Sequence, residues 1–475
     1  MEDKYDVIVI GTGCGGAAAG ALAAYHGHKT LILEKNSIIG GRTATYESHG
    51  FKMDHGHVML RCDRGPHGKL LRMVDSPDLI PRFSYALDWG VQVSIADKKM
   101  VIPPHKRRAI LPLVMLKEIL NFRFKPEDWV SFVKFNAKIL NMSHRDMEEL
   151  YHVDAKTFLN RYFTNKYFHL IFGGTTTVCL GALMEEVSAG VLASISRAGL
   201  KGLGYPINGE GVSAIPHSFL KAAKRYNAHL RLNTAVDEIV VEDNEVKGVM
   251  INGRFIESSI VISSVGIGET VLNLVGENKF EAEYVEKIKN LKYSYEGFSL
   301  KYALDKPVTK YPWGGEIPDN LEKITSDMSR GILPERLPWM YVAASNLDPA
   351  IAPQGKQAIF VISGGTPEVP GQVDWEKWMD KVKTQVAEFF PGINRHTIFC
   401  DETTPNQIAR FSGRIYGDSV GVAQTVDQAG DLRPSPVSPI KGLFYSGADV
   451  GKNQVGTELA TDGAIALEPY LKYKP

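Results

Sequence analysis

Cysteine is scarce in this sequence: Cys14, Cys62, Cys179 and Cys400 are its only four in 475 residues, and no two form a CxxC pair. Such scatter excludes a disulfide framework and a zinc-finger or zinc-ribbon site, so no metal centre is expected and a reducing compartment fits best. Charge of one sign is equally lacking, because Lys+Arg and Asp+Glu both number 54. No global field therefore draws the chain to nucleic acid, and any charge-based partner must be local. Long apolar runs are missing too. None reaches the ~18 residues that would cross a bilayer, and the opening Met1-Glu2-Asp3 is acidic where a secretory leader is basic. A cytoplasmic protein is the expectation. What is present is ordinary globular composition, 44% hydrophobic and 23% charged, in a chain too long for one core, so two domains are expected.

The first fifty residues carry the strongest signal. Residues 5–10 (YDVIVI) read as a short β-branched strand that runs straight into Gly11, Gly13 and Gly16. The alanine-rich stretch 17–26 then reads as a helix, and residues 29–33 (KTLIL) as a second strand ending in Glu34. Strand, glycine turn, helix, strand and terminal acid together make a dinucleotide-binding fingerprint. Gly11 permits the sharp turn, Gly13 lets the backbone approach a pyrophosphate, and Gly16 allows close helix–sheet packing. The phosphates would rest on the helix N-terminus, where free N–H groups and the macrodipole favour anions, while Glu34 would accept from ribose hydroxyls. An acid there disfavours NADP but does not separate NAD from FAD.

After Glu34 come Lys35, Asn36 and, five positions beyond Asn36, Gly41-Arg42-Thr43. Here the sequence resembles the amine oxidase and phytoene desaturase superfamily of FAD-dependent flavoproteins. The resemblance implies FAD as cofactor, with Gly41 and Arg42 against its pyrophosphate and Lys35 in the same cofactor-binding set; a guanidinium suits phosphate oxygens. It implies an α/β fold, a discontinuous Rossmann-like FAD-binding domain with an inserted α+β substrate-binding domain. Two later returns to the cofactor domain match. Residues 205–212 (YPINGEGV) lead into a helix over 213–226, followed by 230–241, read as one strand, in which Val236 would contact the adenine region. Residues 442–449 (GLFYSGAD) place Gly447 and Asp449 at a strand end, with Asp449 toward the ribityl or pyrophosphate and a helix starting at Gly456. The usual richer glycine run after that aspartate is replaced by residues 450–455 (VGKNQV). The expected borders are 1–75, 205–290 and 405–475 for the FAD domain, and 76–204 and 291–404 for the substrate domain.

No hydrolase triad, zinc signature or P-loop appears in the substrate half. Hydride chemistry at flavin N5 needs mainly position and dryness from side chains, so few catalytic residues stand out. Three candidates are named. Lys301 lies in a strand-like stretch, 297–304, at a place similar to that of the amine oxidase lysine which holds a water near N5. His57, in Asp54-His55-Gly56-His57, resembles the family's D-x-G segment close to the flavin and could act as acid or base. Tyr416 precedes the closing motif by the distance at which family members face the active-site cavity. Each also has an ordinary reading, as an edge-strand lysine, a loop histidine and a buried tyrosine.

Residues 103–135 interleave Lys106-Arg107-Arg108, Lys117, Arg123 and Lys125 with Leu111, Leu116, Phe122, Phe124 and Trp129. Such a segment could dock peripherally on a membrane face and admit a lipophilic substrate, or be a core-facing amphipathic helix. The resemblance favours an oxidoreductase acting on carbon–carbon bonds, a desaturase, saturase or isomerase, of an apolar isoprenoid or alicyclic small molecule. Alternatives are an oxygen-using amine or alicyclic-ring oxidase, and a non-catalytic prenyl-binding protein of the same fold.

Overall fold

A computed structural model describes residues 4–56, 65–102, 124–200, 204–367, 373–452 and 454–473. Its first sheet is five-stranded and wholly parallel, in the order Leu443–Tyr445, Ile260–Ser263, Val7–Ile10, Thr30–Leu33, His229–Arg231. The three inner strands are buried at every position, which is why they read as continuous apolar runs without alternation. Helices Cys14–Tyr25, Ala214–Arg225 and Gly456–Ile465 pack together on one face. The alanines of the first of them allow close approach, and Ile215, Phe219 and Leu220 of the second fill the remaining space. The sheet is thus assembled from the chain's beginning, middle and end, the α/β arrangement expected of a discontinuous cofactor domain.

The stretch 230–241 is not one strand. His229–Arg231 ends the parallel sheet, and Glu238–Glu242 opens a separate three-stranded antiparallel sheet. Between them Asn233 adopts a left-handed φ of 51°, and the Thr234 N–H donates to the Glu34 carbonyl at 2.8 Å. Asparagine tolerates that conformation, so the chain turns at Asn233. The Asp243-Asn244 turn appears as expected, both residues at positive φ, 49° and 58°.

A second sheet has seven strands, in the order Thr397–Thr403, Gly297–Leu304, Gln357–Gly364, Trp339–Val342, Trp313–Ile317, Val91–Ile95, Lys98–Ile102. Phe298, Leu300, Tyr302 and Leu304 face a core that also holds Trp378, Val382 and Val386 of helix Trp375–Phe389. The opposite face, through Ala303, Val342 and Phe360, packs on Phe51 and Met53 of the hairpin that follows the Gly41–Thr43 turn. That contact joins the substrate sheet to the cofactor unit. Helices Pro126–Asn141, Ala155–Asn160, Lys166–Thr175 and Ala189–Leu200 form a further core beside it.

Candidate active site

The glycine turn is built as its spacing demands. Gly11 has φ 96°, and a Cβ on Gly16 would collide with the Gly11 carbonyl, so the helix can start against the strand only without a side chain there. A Cβ on Gly13, by contrast, would meet nothing nearer than the Gly40 carbonyl at 4.0 Å. Internal packing therefore does not require a glycine at 13. An approaching pyrophosphate does. Gly15, which the fingerprint leaves unassigned, is fixed by the closing motif: its Cβ would stand 2.5 Å from the Gly447 Cα. Gly41 lies against Gly13 in turn, its own Cβ 3.6 Å from the Gly13 Cα.

Glu34 is buried at the strand end. One carboxylate oxygen accepts from the Thr12 N–H (3.0 Å) and hydroxyl (2.5 Å), the other from the N–H (2.9 Å) and side-chain amide (2.9 Å) of Asn36. These bonds fix the carboxylate at the mouth of the glycine turn. Thr234 lies beside it through its bond to the Glu34 carbonyl, which carries Val236 to the same edge, where it packs half-buried on the core. Lys35 turns away from Glu34 and donates to the Arg410 carbonyl at 2.5 Å. With Glu269, Asn406, Gly413 and Arg414 it lines a cavity of about 480 Å³.

Charges alternate through the centre of the site. Arg42 donates to Asp418 (2.9 Å), Asp418 accepts from Arg414 (2.6 Å), and Arg414 donates to Asp449 (2.8 Å). Asp449 also accepts from the N–H groups of Ile267 and Val422, each at 3.0 Å. Burial pushes its carboxyl up, but the Arg414 charge and hydrogen bond with those two N–H groups outweigh it and hold the pKa at about 2. Arg414 itself is lowered by burial and carried above its usual range by Asp418 and Asp449. Behind them Arg433 is buried with its donors spent on carbonyls: Gly451 at 2.9 Å, Val422 at 2.7 Å, Ala423 at 3.1 Å and Ala448 at 2.5 Å. Burial brings it down to about 10. Within this ladder Arg42 and Arg414 are matched by Asp418 and Asp449, and the buried Arg433 behind them adds one unmatched positive charge to the group. A diphosphate supplies the missing anion, so the residues present fit the pyrophosphate of FAD.

Arg414, Asp418 and Arg433 escaped the sequence reading. Their signal was an arginine set in a glycine-flanked run, 412–417, and another directly before Pro434, with no acid adjacent to either.

Of the catalytic candidates, Lys301 sits on an inner strand, not at an edge, and is 1% exposed. Its Nζ donates to the Thr403 hydroxyl and lies 5.6 Å from the centre of the Tyr46 ring, whose hydroxyl donates to Asp401. Burial lowers the Lys301 pKa, opposed by Asp401, Cys400 and Asp54. Tyr416 is elsewhere, its ring edge-on to Tyr293 at 5.1 Å beside Arg414 and Asp418. His57 lies outside the described residues, as does Cys62. The neighbouring His55 stacks on Phe411 at 4.3 Å, and burial lowers its pKa to about 4. Asp54 accepts from Thr45 (2.6 Å), Tyr205 (2.7 Å) and the Val212 N–H (3.2 Å); burial raises it to about 6 against those bonds. Among the described residues no group of acids, histidines and cysteines could hold a metal.

Comparison with known proteins agrees with this architecture. The family model described as flavin containing amine oxidoreductase matches residues 15–465. A 4,4'-diapophytoene desaturase (4,4'-diaponeurosporene-forming) from Staphylococcus haemolyticus is 22% identical, over 98% of both chains. Among solved structures, an oxidoreductase from Methanosarcina mazei superposes with a TM-score of 0.72 at 16% identity, over 97% of this chain and 99% of that one. Cyclohexylamine oxidase from Brevibacterium oxydans gives 0.63 at 15% identity, over 98% of each.

Proposed function

Because the chain belongs to the flavin containing amine oxidoreductase family and is an FAD-dependent oxidoreductase, we propose that it acts on a carbon–carbon bond of an apolar isoprenoid or alicyclic substrate. The observation that carries this reading is the match to a desaturase, 22% identical over 98% of each chain. FAD supplies a hydride acceptor at N5 when bound. The chain's own part is to hold and exclude. Gly13 and the helix N-terminus receive the pyrophosphate, the net positive charge of the Arg42, Arg414 and Arg433 group balances it, Glu34 takes the ribose, and the Gly447–Asp449 turn fixes the ribityl side. We place the domain borders at 1–75, 205–290 and 405–475 for the cofactor unit and at 76–204 and 291–404 for the substrate unit, which assigns every strand of the two large sheets to one unit.

A chain holding FAD for catalysis is not the non-catalytic prenyl-binding alternative. An amine or alicyclic-ring oxidase stays as the second reading because of one feature, the buried Lys301. For substrate entry the reading keeps residues 103–135 as a peripheral membrane contact. Residues 103–123 lie outside the described residues, while helix Pro126–Asn141 exposes Val130, Val133 and Leu140 together with Lys134. No described helix is long and apolar enough to cross a membrane.

The test is anaerobic mixing of the purified flavoprotein with linear isoprenoid polyenes with and without a keto group in detergent, a cyclic ketone and a primary amine, following the flavin absorbance with the cofactor oxidised and then pre-reduced. A change driven by a polyene or by the cyclic ketone is expected. A response to the amine alone selects the second reading, and none to any of them overturns both.

A further inference from the structure

Ser299 and Lys301 are two residues apart on one strand, so their side chains share a face. That face is turned to the hairpin of the cofactor unit, where Lys301 stands over Tyr46. Among the described residues the Ser299 hydroxyl has no hydrogen-bond partner, although the residue is only 4% exposed. The Lys301 Nζ carries three donors and gives one to the Thr403 hydroxyl; no other oxygen of the described residues accepts from it. Buried donors left unmade are costly, so two of them side by side need an account. On the Thr397–Thr403 side their neighbours are polar, Thr403 opposite Ser299 and Asp401 opposite Lys301, and on the other side they are apolar. Ile362 pairs with Ser299 across one strand boundary and with Met340 across the next, both half-buried, and the Cys179 sulfur lies 3.9 Å from that of Met340.

We propose that Ser299 and Lys301 form a two-donor clamp for one carbonyl oxygen of the substrate, whose apolar body lies along Met340 and Ile362. The inference rests on the carbon–carbon reading above and narrows it to ketone- or enone-bearing rings and isoprenoid chains. A pure hydrocarbon would leave both donors buried and empty. A carboxylate would meet Asp401 and Asp54, the acids that already face Lys301, so the acceptor is neutral. A substrate amine brings donors to a place that already has them.

The test reads binding, not turnover. Purified holoenzyme is titrated with carvone, a monoterpene ketone, with limonene, its hydrocarbon counterpart, and with cyclohexylamine, following the flavin spectrum and the enone band of carvone. Carvone should bind roughly tenfold or more tightly than limonene, the worth of a hydrogen bond to a charged donor, with its enone band moved to the red. Ser299→Ala and Lys301→Met should each bring carvone to within about threefold of limonene. If Lys301→Met does not fold, Ser299→Ala alone decides. Equal binding of carvone and limonene, discrimination that survives in the variants, or tightest binding of cyclohexylamine overturns the proposal. Because flavin reduction is not the readout, a carvone preference without any redox reaction would instead count against the carbon–carbon reading.

Discussion

Arg414 donates to Asp449 at 2.8 Å while its Nε holds Asp418 at 2.6 Å, so one buried guanidinium keeps two buried carboxylates apart. Removing it leaves Asp449 without its paired counter-charge and Asp418 with Arg42 alone. Arg414→Met should cost about 3–5 kcal/mol of stability and most of the bound flavin, read as the ratio of visible to ultraviolet absorbance after gel filtration. Wild-type flavin content with an unchanged melting temperature would refute the ladder as the holder of the pyrophosphate side.

Gly13 and Gly15 are two residues apart and should respond in opposite ways. Ala at 13 has open space and an ordinary φ of −58°, so the apoprotein should keep its stability or gain roughly 0.5 kcal/mol. Its flavin affinity should nevertheless fall, because the new methyl occupies the approach to the phosphates. Ala at 15 meets the Gly447 backbone and should cost about 1–3 kcal/mol even without flavin. Calorimetric melting of both apoproteins, with flavin titration by fluorescence quenching, separates the two effects.

Asp54 gives a pH dependence with a definite sign. Its folded pKa is raised, to about 6 from an ordinary value near 3.8. Its favourable contribution is therefore fully present below the unfolded pKa and is lost as pH rises through 6. Two pKa units correspond to about 3 kcal/mol. Asp54→Asn, which keeps an acceptor for Thr45 and Val212, should flatten this part of the profile. Thermal midpoints of wild type and variant should diverge in favour of the variant from about pH 4 to pH 7. Parallel curves would show that Asp54 carries no such shift.

Asp449 acts with the reverse sign. Held at about 2, below the ordinary 3.8, it stabilises the fold above the unfolded pKa, and that contribution is lost as pH falls through 2. Flavin release on acidification should therefore steepen below about pH 4, and Asp449→Asn should lose flavin already at neutral pH. Release followed by flavin fluorescence tests both; an Asn variant that keeps its cofactor would remove Asp449 from the site.

Membrane contact through helix Pro126–Asn141 predicts co-sedimentation of the protein with anionic phospholipid vesicles. Val130→Asp and Val133→Asp, at positions 52% and 63% exposed, should weaken it without loss of flavin. Sedimentation unchanged by both substitutions would place any contact elsewhere.

The opening unit was legible from local sequence because each of its parts is a local event. A β-branched run makes a strand, glycines make the turn that Gly11 and Gly16 require, alanines make the helix, and Glu34 closes it within one βαβ unit. Resemblance at Gly41-Arg42 and at Gly447 with Asp449 then named the cofactor. The break at Asn233 was hidden because polar residues also alternate along half-exposed strands, and only the Thr234 N–H given to the Glu34 carbonyl marks where this strand ends.

Only the tertiary structure decided the rest. Gly15 answers to Gly447, Arg42 to Asp418, and Arg433 to carbonyls on both sides of it, and each of these contacts forms between segments far apart in the chain. Lys301 could be either a catalytic candidate or an edge-strand lysine by sequence, which does not say which strands lie beside it; with Thr397–Thr403 on one side and Gln357–Gly364 on the other, it is buried. The sequence by itself determined the opening strand–turn–helix–strand unit, whose contacts are short in range. Which charges balance, and which buried donors stay unmade, depends on long-range packing, and that is where the substrate half acquires its chemistry.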